Sequence, residues 1–495
     1  MFLKPIARPF LYRLPLTFIQ RCLATEASNF NTAEQPPVLE YQAVDKTTSQ
    51  FFTSMKSGFL PRQDPLVKLP AKFDALEDLL QRMPIKIGDK RGLLAEGKFG
   101  DAVLKELPYI EVNEITDTRL LTALFRDYTF ATSAYVLEPC DIMYRQKKDY
   151  GKGRDRVPKQ LAIPLVKIAD KLGAKPFMEY AQSYSLYNYQ KRDSSAPEYY
   201  ENLDLIRKFS GLDSEHGFIL VHVAMVRYTG DQVKNTLNII KAAERGDRKT
   251  FNQGLSGLLE TLRKINYTMD TMWQYCAPAD YMKFRTFIMG TKNQTEMFPN
   301  GVVYEGVSDN STFYRGESGA NDSIIPTCDN LLQLTQDMPD NPLTNILRDF
   351  RTYRPRNHTQ WLSWVEERSR SINVRGFAMG DSNSAVGYLA LLDQVREFRD
   401  RHWRFAKSYI IAYTNHPVAT GGSPIITWLP NQLAVVLGSM ASTAHQIDSQ
   451  LLSQENKELL EMLTERAEVQ GRILTREVEM LKGQFKDQDL VNETY

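Results

Sequence analysis

Asp381-Ser382-Asn383-Ser384-Ala385-Val386-Gly387-Tyr388-Leu389-Ala390-Leu391-Leu392-Asp393-Gln394-Val395-Arg396-Glu397-Phe398-Arg399-Asp400-Arg401-His402-Trp403-Arg404-Phe405 is the stretch whose reading decides the fold. Leu391, Val395, Phe398, His402, Phe405 and Tyr409 recur at steps of three and four, so they share one stripe of an α-helix. Asp381 or Ser382 supplies the N-cap, and Asn415-His416-Pro417 ends the pattern because proline lacks the next backbone donor. Arg396, Arg399, Arg401, Arg404 and Lys407 occupy the other face and read as a solvated backing. The helix therefore aims one imidazole into apolar surroundings. That suits either a packed histidine with a satisfied hydrogen bond or the proximal ligand of a buried haem iron.

The chain of 495 residues is 42% hydrophobic and carries 61 basic against 60 acidic residues. It is long enough for two or three domains. Near-zero net charge argues against nucleic acid as a bulk electrostatic partner and favours small-molecule chemistry. Cys22, Cys140, Cys276 and Cys328 stand far apart without a Cys-x-x-Cys pair, which points away from disulfides and thiolate zinc and toward a reducing compartment. No run of about eighteen apolar residues occurs, so no membrane span is expected.

Residues 1–25 hold Lys4, Arg8, Arg13 and Arg21 and no acid, the composition of a mitochondrial transit peptide, although Pro5, Pro9 and Pro15 interrupt its helix. A disordered basic tail in a cytoplasmic protein is the alternative. Residues 26–65 read as a linker, 66–200 as a small helical domain, 201–440 as a large one and 441–495 as a helical tail. In the tail Leu452, Leu459, Leu463, Ile473, Val478 and Leu481 form a loose heptad. It serves either self-association or packing on the domain.

Five further motifs precede or follow the histidine helix: Arg285-Thr286-Phe287-Ile288-Met289-Gly290, Val302-Val303-Tyr304-Glu305-Gly306, Arg315-Gly316-Glu317-Ser318-Gly319-Ala320, Met379-Gly380-Asp381 and Ala419-Thr420-Gly421-Gly422-Ser423-Pro424. Taken in order over residues 60 to 440, they resemble the indoleamine 2,3-dioxygenase family in its fungal type. The resemblance implies an all-α fold with a small amino-terminal and a large haem-binding domain. It also implies haem b on His402, and L-tryptophan and O2 as substrates giving N-formylkynurenine on the route to NAD.

Residue by residue, the resemblance places Phe218 and Tyr281 against the substrate, His222 over the distal face, and Ser318 and Gly319 near haem and substrate. The Thr420 hydroxyl and the Gly421 backbone orient the amino-acid group. Arg285, whose guanidinium needs an anion among apolar neighbours, takes the substrate carboxylate; an internal salt bridge is the competing reading. Many family members carry serine where this chain has His222, and histidine there resembles the separate tryptophan 2,3-dioxygenases. It would hydrogen-bond the indole N–H or the oxygen.

Asp280 departs from the family, which has an aromatic wall at that position; a carboxylate there would repel the substrate unless it faces solvent. It motivates a second reading, a haem-binding member with little tryptophan activity. A third is a helical interaction protein acting through its tail.

Overall fold

The computed structural model describes residues 35–43, 48–334, 342–414 and 418–484. The expected transit peptide and the Asn415-His416-Pro417 helix stop lie outside the described residues. The helices that position the site are α1 (Asp74–Arg82), α2 (Thr118–Lys147), α3 (Lys159–Leu172), α4 (Asp213–Val226), α5 (Thr229–Arg245), α6 (Arg248–Asp270), α7 (Pro278–Arg285), α8 (Ile324–Leu331), α9 (Arg356–Ile372), α10 (Ser382–Phe405), α11 (Ile425–His445) and α12 (Gln454–Gln484). Strands are two or three residues long, so the fold is all-α. One such ribbon runs Arg156–Val157 parallel to Val302–Tyr304, with Val157 opposite Tyr304, and joins the two halves of the sequence.

α10 starts where the sequence places it, with the Asp381 carboxylate accepting from the Ser384 amide at 2.8 Å and so satisfying one of the orphan donors of a helix start. Leu391, Val395, Phe398 and Tyr409 are buried as the stripe requires. After Phe405 the backbone widens into a π turn over Ala406–Ile411, which keeps Tyr409 facing inward. Its hydroxyl donates to the Cys276 carbonyl at 2.5 Å.

The other face of α10 is solvated only at its end, where Arg404 is exposed and Lys407 half-buried. Arg396, Arg399 and Arg401 are buried, because α6, α11 and α12 pack around the helix. Each guanidinium has partners: Arg399 reaches both oxygens of Asp329 at 2.9 Å, Arg401 reaches Asp270 at 3.0 Å and Asn266 at 2.7 Å, and Arg396 reaches Asp393 at 2.6 Å. A buried arginine is tolerated only on such terms. At these three positions charge on a helix face forms an interior network instead of a solvated one.

The tail is a helix packed on the domain. α12 buries Leu460, Leu463, Ala467, Leu474 and Leu481 along α10 and α11. Its Glu477 accepts from Trp403 Nε1 at 2.8 Å and from Lys407 at 2.6 Å. Ile473, one of the heptad positions, is half exposed. Residues 48–65 also depart from the linker reading. Phe51, Phe59 and Leu60 are buried, the Thr53 amide donates to Asn357 at 2.7 Å, and the Phe59 amide donates to the Thr229 hydroxyl at 2.9 Å. Short apolar residues without a period pack as a strap, a case that periodicity does not register.

α11 is the one helix among the described residues long and apolar enough to cross a membrane, by length and composition only, and 56% of its apolar window is buried inside the fold. By contact, residues 37–495 group as a single unit. Cys140, Cys276 and Cys328 are buried free thiols.

Candidate active site

α10 and α4 bring two histidines to one cavity. Phe218, His222, Tyr281, Glu317, His402 and Thr420 are among its walls, which are mostly apolar and enclose, mouth included, about 990 Å³. His402 is partly accessible although it lies deep in the fold, because its surface opens into the cavity. Neither ring nitrogen of His402 has a hydrogen-bond partner among the described residues. Burial, and secondly the charge of His222, push its pKa down to about 4, so the imidazole is neutral and its lone pair available. The alternative of a packed, hydrogen-bonded histidine is not what the fold builds.

His222 is held differently. Its Nδ1 lies 2.7 Å from the Phe218 carbonyl, one turn back, so Nδ1 is the donor and Nε2 carries the lone pair. Burial pushes its pKa down to about 4 as well. Nε2 points toward Gly319, where an added Cβ would stand 3.4 Å from it. The Phe218 ring packs against Tyr281 at 5.1 Å and His222 at 5.4 Å between centroids.

A residue-poor loop pair closes the cavity. Gly290 and Gly316 cross so closely that a Cβ on either would meet the other's backbone nitrogen at 2.1–2.2 Å; only glycine fits. This crossing sets Ser318 and Gly319 on the wall. Thr420 is tied to it: its hydroxyl donates to the Glu317 carbonyl at 2.6 Å and its carbonyl accepts from the Gly290 amide at 2.9 Å. Gly421 lies against the Phe350 ring, with no room for a Cβ, and its carbonyl accepts from Arg315 at 2.8 Å.

Arg285 is fully buried but is not on the cavity wall itself. It donates to the Tyr150 hydroxyl at 2.8 Å and to the Val418 carbonyl at 2.5 Å, and its Nε has no partner. It makes no ion pair among the described residues, so the internal salt bridge is absent there and the cation lacks a counter-ion. Asp280 points elsewhere. It accepts from the Ser214 hydroxyl and from Lys283, each at 2.7 Å. The Lys283 hydrogen bond, outweighing partial burial, holds its carboxyl below the usual range.

Sequence reasoning passed over Glu317. It sits in a quoted motif yet was not singled out, since an acidic residue in a glycine-rich loop ordinarily faces water. Here it is 2% exposed and lines the cavity. A bulky charged residue between Gly316 and Gly319 was the available signal.

The donor set fits a haem: one neutral imidazole free of partners among the described residues, apolar walls, and a second neutral imidazole on the same cavity. Among the described residues no cluster of three or more His, Cys, Asp or Glu side chains could hold a bare metal ion.

The sequence model described as "Indoleamine 2,3-dioxygenase" matches residues 47–464. The chain is similar to indoleamine 2,3-dioxygenase 1 of Rattus norvegicus, 27% identical over 69% of this chain and 81% of the relative. It is also similar to indoleamine 2,3-dioxygenase of Saccharomyces cerevisiae, 27% identical over 74% and 80%. A third relative, 6-hydroxytryptophan 2,3-dioxygenase of Fusarium equiseti, is 24% identical over 79% and 92%.

Proposed function

The chain belongs to the indoleamine 2,3-dioxygenase family, and we propose that the cavity between His402 and His222 is where it carries out that family's reaction. It is a haem-dependent oxidoreductase that adds both atoms of O2 to the indole ring of tryptophan, giving N-formylkynurenine. The observation that carries the site assignment is the neutral His402 imidazole, without a hydrogen-bond partner among the described residues, opening into an apolar cavity that His222 also lines.

His402 would hold haem b, which when bound supplies the activation of O2. The chain's own work is positioning and charge. The indole ring lies against the Phe218–Tyr281 pair, and His222 Nε2, fixed as an acceptor by the Phe218 carbonyl, receives the indole N–H. Arg285 is an already desolvated cation waiting for the substrate carboxylate, with Nε still to be satisfied; a planar guanidinium holds a carboxylate with two parallel hydrogen bonds. The Thr420 hydroxyl, having spent its proton on Glu317, offers lone pairs to the ammonium. The loops around Ser318, Gly319 and Gly421 bring backbone close without side-chain bulk and exclude water from the reacting atoms.

A Soret band at stoichiometric haem together with turnover of L-tryptophan by the reduced enzyme tests this reading; purified protein that takes up no haem would sink it. Asp280, bound to Ser214 and Lys283, gives no ground for a low-activity member. The Fusarium relative named for 6-hydroxytryptophan makes ring-hydroxylated tryptophan a second substrate to assay.

We also propose that residues 1–25 direct the chain to mitochondria, that the product feeds NAD biosynthesis, and that residues 66–200 and 201–440 form the small and the large helical domain within the single contact unit. Self-association through the half-exposed Met462, Ile473 and Met480 of α12 belongs to the same set. A reporter fused to residues 1–40 that stays cytosolic would remove the first of these.

A further inference from the structure

Tyr150 lies outside every motif that carries the family resemblance, yet its hydroxyl is one of the two groups that accept hydrogen bonds from Arg285. The long helix α2 delivers it. That helix closes on Lys148, which takes a left-handed φ of 60° while its amide donates to the Tyr144 carbonyl at 3.0 Å. The chain then turns back on itself: the Gly153 amide donates to the Met297 carbonyl at 3.1 Å and the Arg154 amide to the Val136 carbonyl at 2.9 Å. Within this pinned turn Tyr150 is buried and stacks on Tyr144, with ring centroids 4.7 Å apart and planes 15° from parallel. A ring clamped in this way gives its hydroxyl a fixed place.

What the hydroxyl holds is a cation without an anion among the described residues. Arg285 Nη1 donates to Tyr150 at 2.8 Å, and Nη2 donates to the Val418 carbonyl at 2.5 Å. Val418 opens the loop whose next two residues, Ala419 and Thr420, line the cavity, and Tyr281, one turn before Arg285 on α7, lines it too. The guanidinium is therefore anchored at the Thr420 end of the cavity. Two neutral acceptors fix its direction and leave its charge in place. A carboxylate in either position would cancel that charge, and the substrate would have to displace it. An arginine ordered before the ligand arrives also has less rotamer freedom to lose on binding.

We propose that Tyr150 is a positioning residue for substrate recognition: its hydroxyl, clamped by the stack on Tyr144, orients the Arg285 guanidinium for the substrate carboxylate without neutralising it. Tyr150 acts through Arg285 and touches neither the indole ring nor the reacting atoms. Its contribution therefore falls on ligands that carry a carboxylate and is absent for those that do not. This inference rests on the reading of Arg285 as the partner of the tryptophan carboxylate.

The test uses haem-loaded parent, Tyr150→Phe, Arg285→Ala and the double variant. Tyr150→Phe keeps the ring and its stack and removes only the acceptor. For each protein kcat and KM are measured with L-tryptophan, and dissociation constants are determined calorimetrically for L-tryptophan and for tryptamine, the same indole ethylamine without the carboxylate. Tyr150→Phe should keep the parent's Soret band, raise KM and the dissociation constant for tryptophan about tenfold, and leave kcat and tryptamine binding within about twofold. In the Arg285→Ala background the same substitution should add nothing, because the group it acts through is gone. Loss of haem in Tyr150→Phe, an equal loss on tryptophan and tryptamine, or the same loss with and without Arg285 makes the tyrosine a structural residue and overturns the proposal. Unchanged tryptophan affinity in Tyr150→Phe, with Arg285→Ala impaired, overturns it while the Arg285 reading stands. Arg285→Ala that binds tryptophan like the parent ends the Arg285 reading, and this proposal with it.

Discussion

Two histidines face one cavity, and the fold treats them differently. His222 is committed: Nδ1 is spent on the Phe218 carbonyl of its own helix, which fixes the tautomer and leaves one oriented acceptor. His402 has no such tie. The difference is that between a side chain pre-set for a directional contact with substrate and one kept open for a bond to a metal, where the protein must not compete. The buried arginines repeat the contrast. Arg399 is closed on both oxygens of Asp329, whereas Arg285 has hydroxyl and carbonyl neighbours but no anion among the described residues.

Breaking the histidine contrast gives the largest expected effect. His402→Ala should lose most bound haem, since the single strong protein bond to iron disappears, while His222→Ala keeps a normal Soret band and is impaired in turnover. A normal histidine-ligated spectrum in His402→Ala would end the assignment. For the arginines, Arg399→Ala should destabilise the fold by about 3–5 kcal/mol in urea unfolding, because Asp329 is left charged and buried. Arg285→Ala should spare haem content but cost roughly 2–4 kcal/mol in tryptophan binding. If tryptophan titration shows equal affinity in parent and Arg285→Ala, the arginine is structural after all.

Acid should weaken both histidine sites together. Each imidazole is held neutral, with its folded pKa lowered from 6.5 to about 4 chiefly by burial. The unfolded chain takes up those protons near pH 6.5 and the folded chain only near 4. Stability is therefore complete above about pH 6.5 and falls as pH drops through that window, by up to about 3 kcal/mol per histidine. Urea midpoints of haem-free protein between pH 7 and 4 measure it. His222→Gln should flatten the curve, and an unchanged slope would mean that His222 does not titrate there.

The smallest effect sharpens the picture by its absence. Asp280→Asn should leave the Michaelis constant for tryptophan within about twofold of the parent, because the carboxylate is turned to Ser214 and Lys283 rather than to the cavity. A clear fall in the constant would return Asp280 to the substrate.

What the sequence determined by itself is what depends on local period and on ordered motifs. The stripe from Leu391 to Tyr409 and a cap at Asp381 or Ser382 follow from spacing along one chain; the ordered motifs carry the family, and it is the resemblance that singles out His402 from His222, the other histidine on an apolar helix face. What only the tertiary structure decided is what depends on partners far away in sequence. Arg396, Arg399 and Arg401 looked solvated until Asp393, Asp329 and Asp270 closed on them. Asp280 looked obstructive until Ser214, 66 residues away, turned it aside. Glu317 looked like a loop residue until the crossing of Gly290 and Gly316 drove its carboxyl inward. A charge reads as surface in sequence because burial is costly, and whether a fold meets that cost is settled by contacts that no local pattern contains.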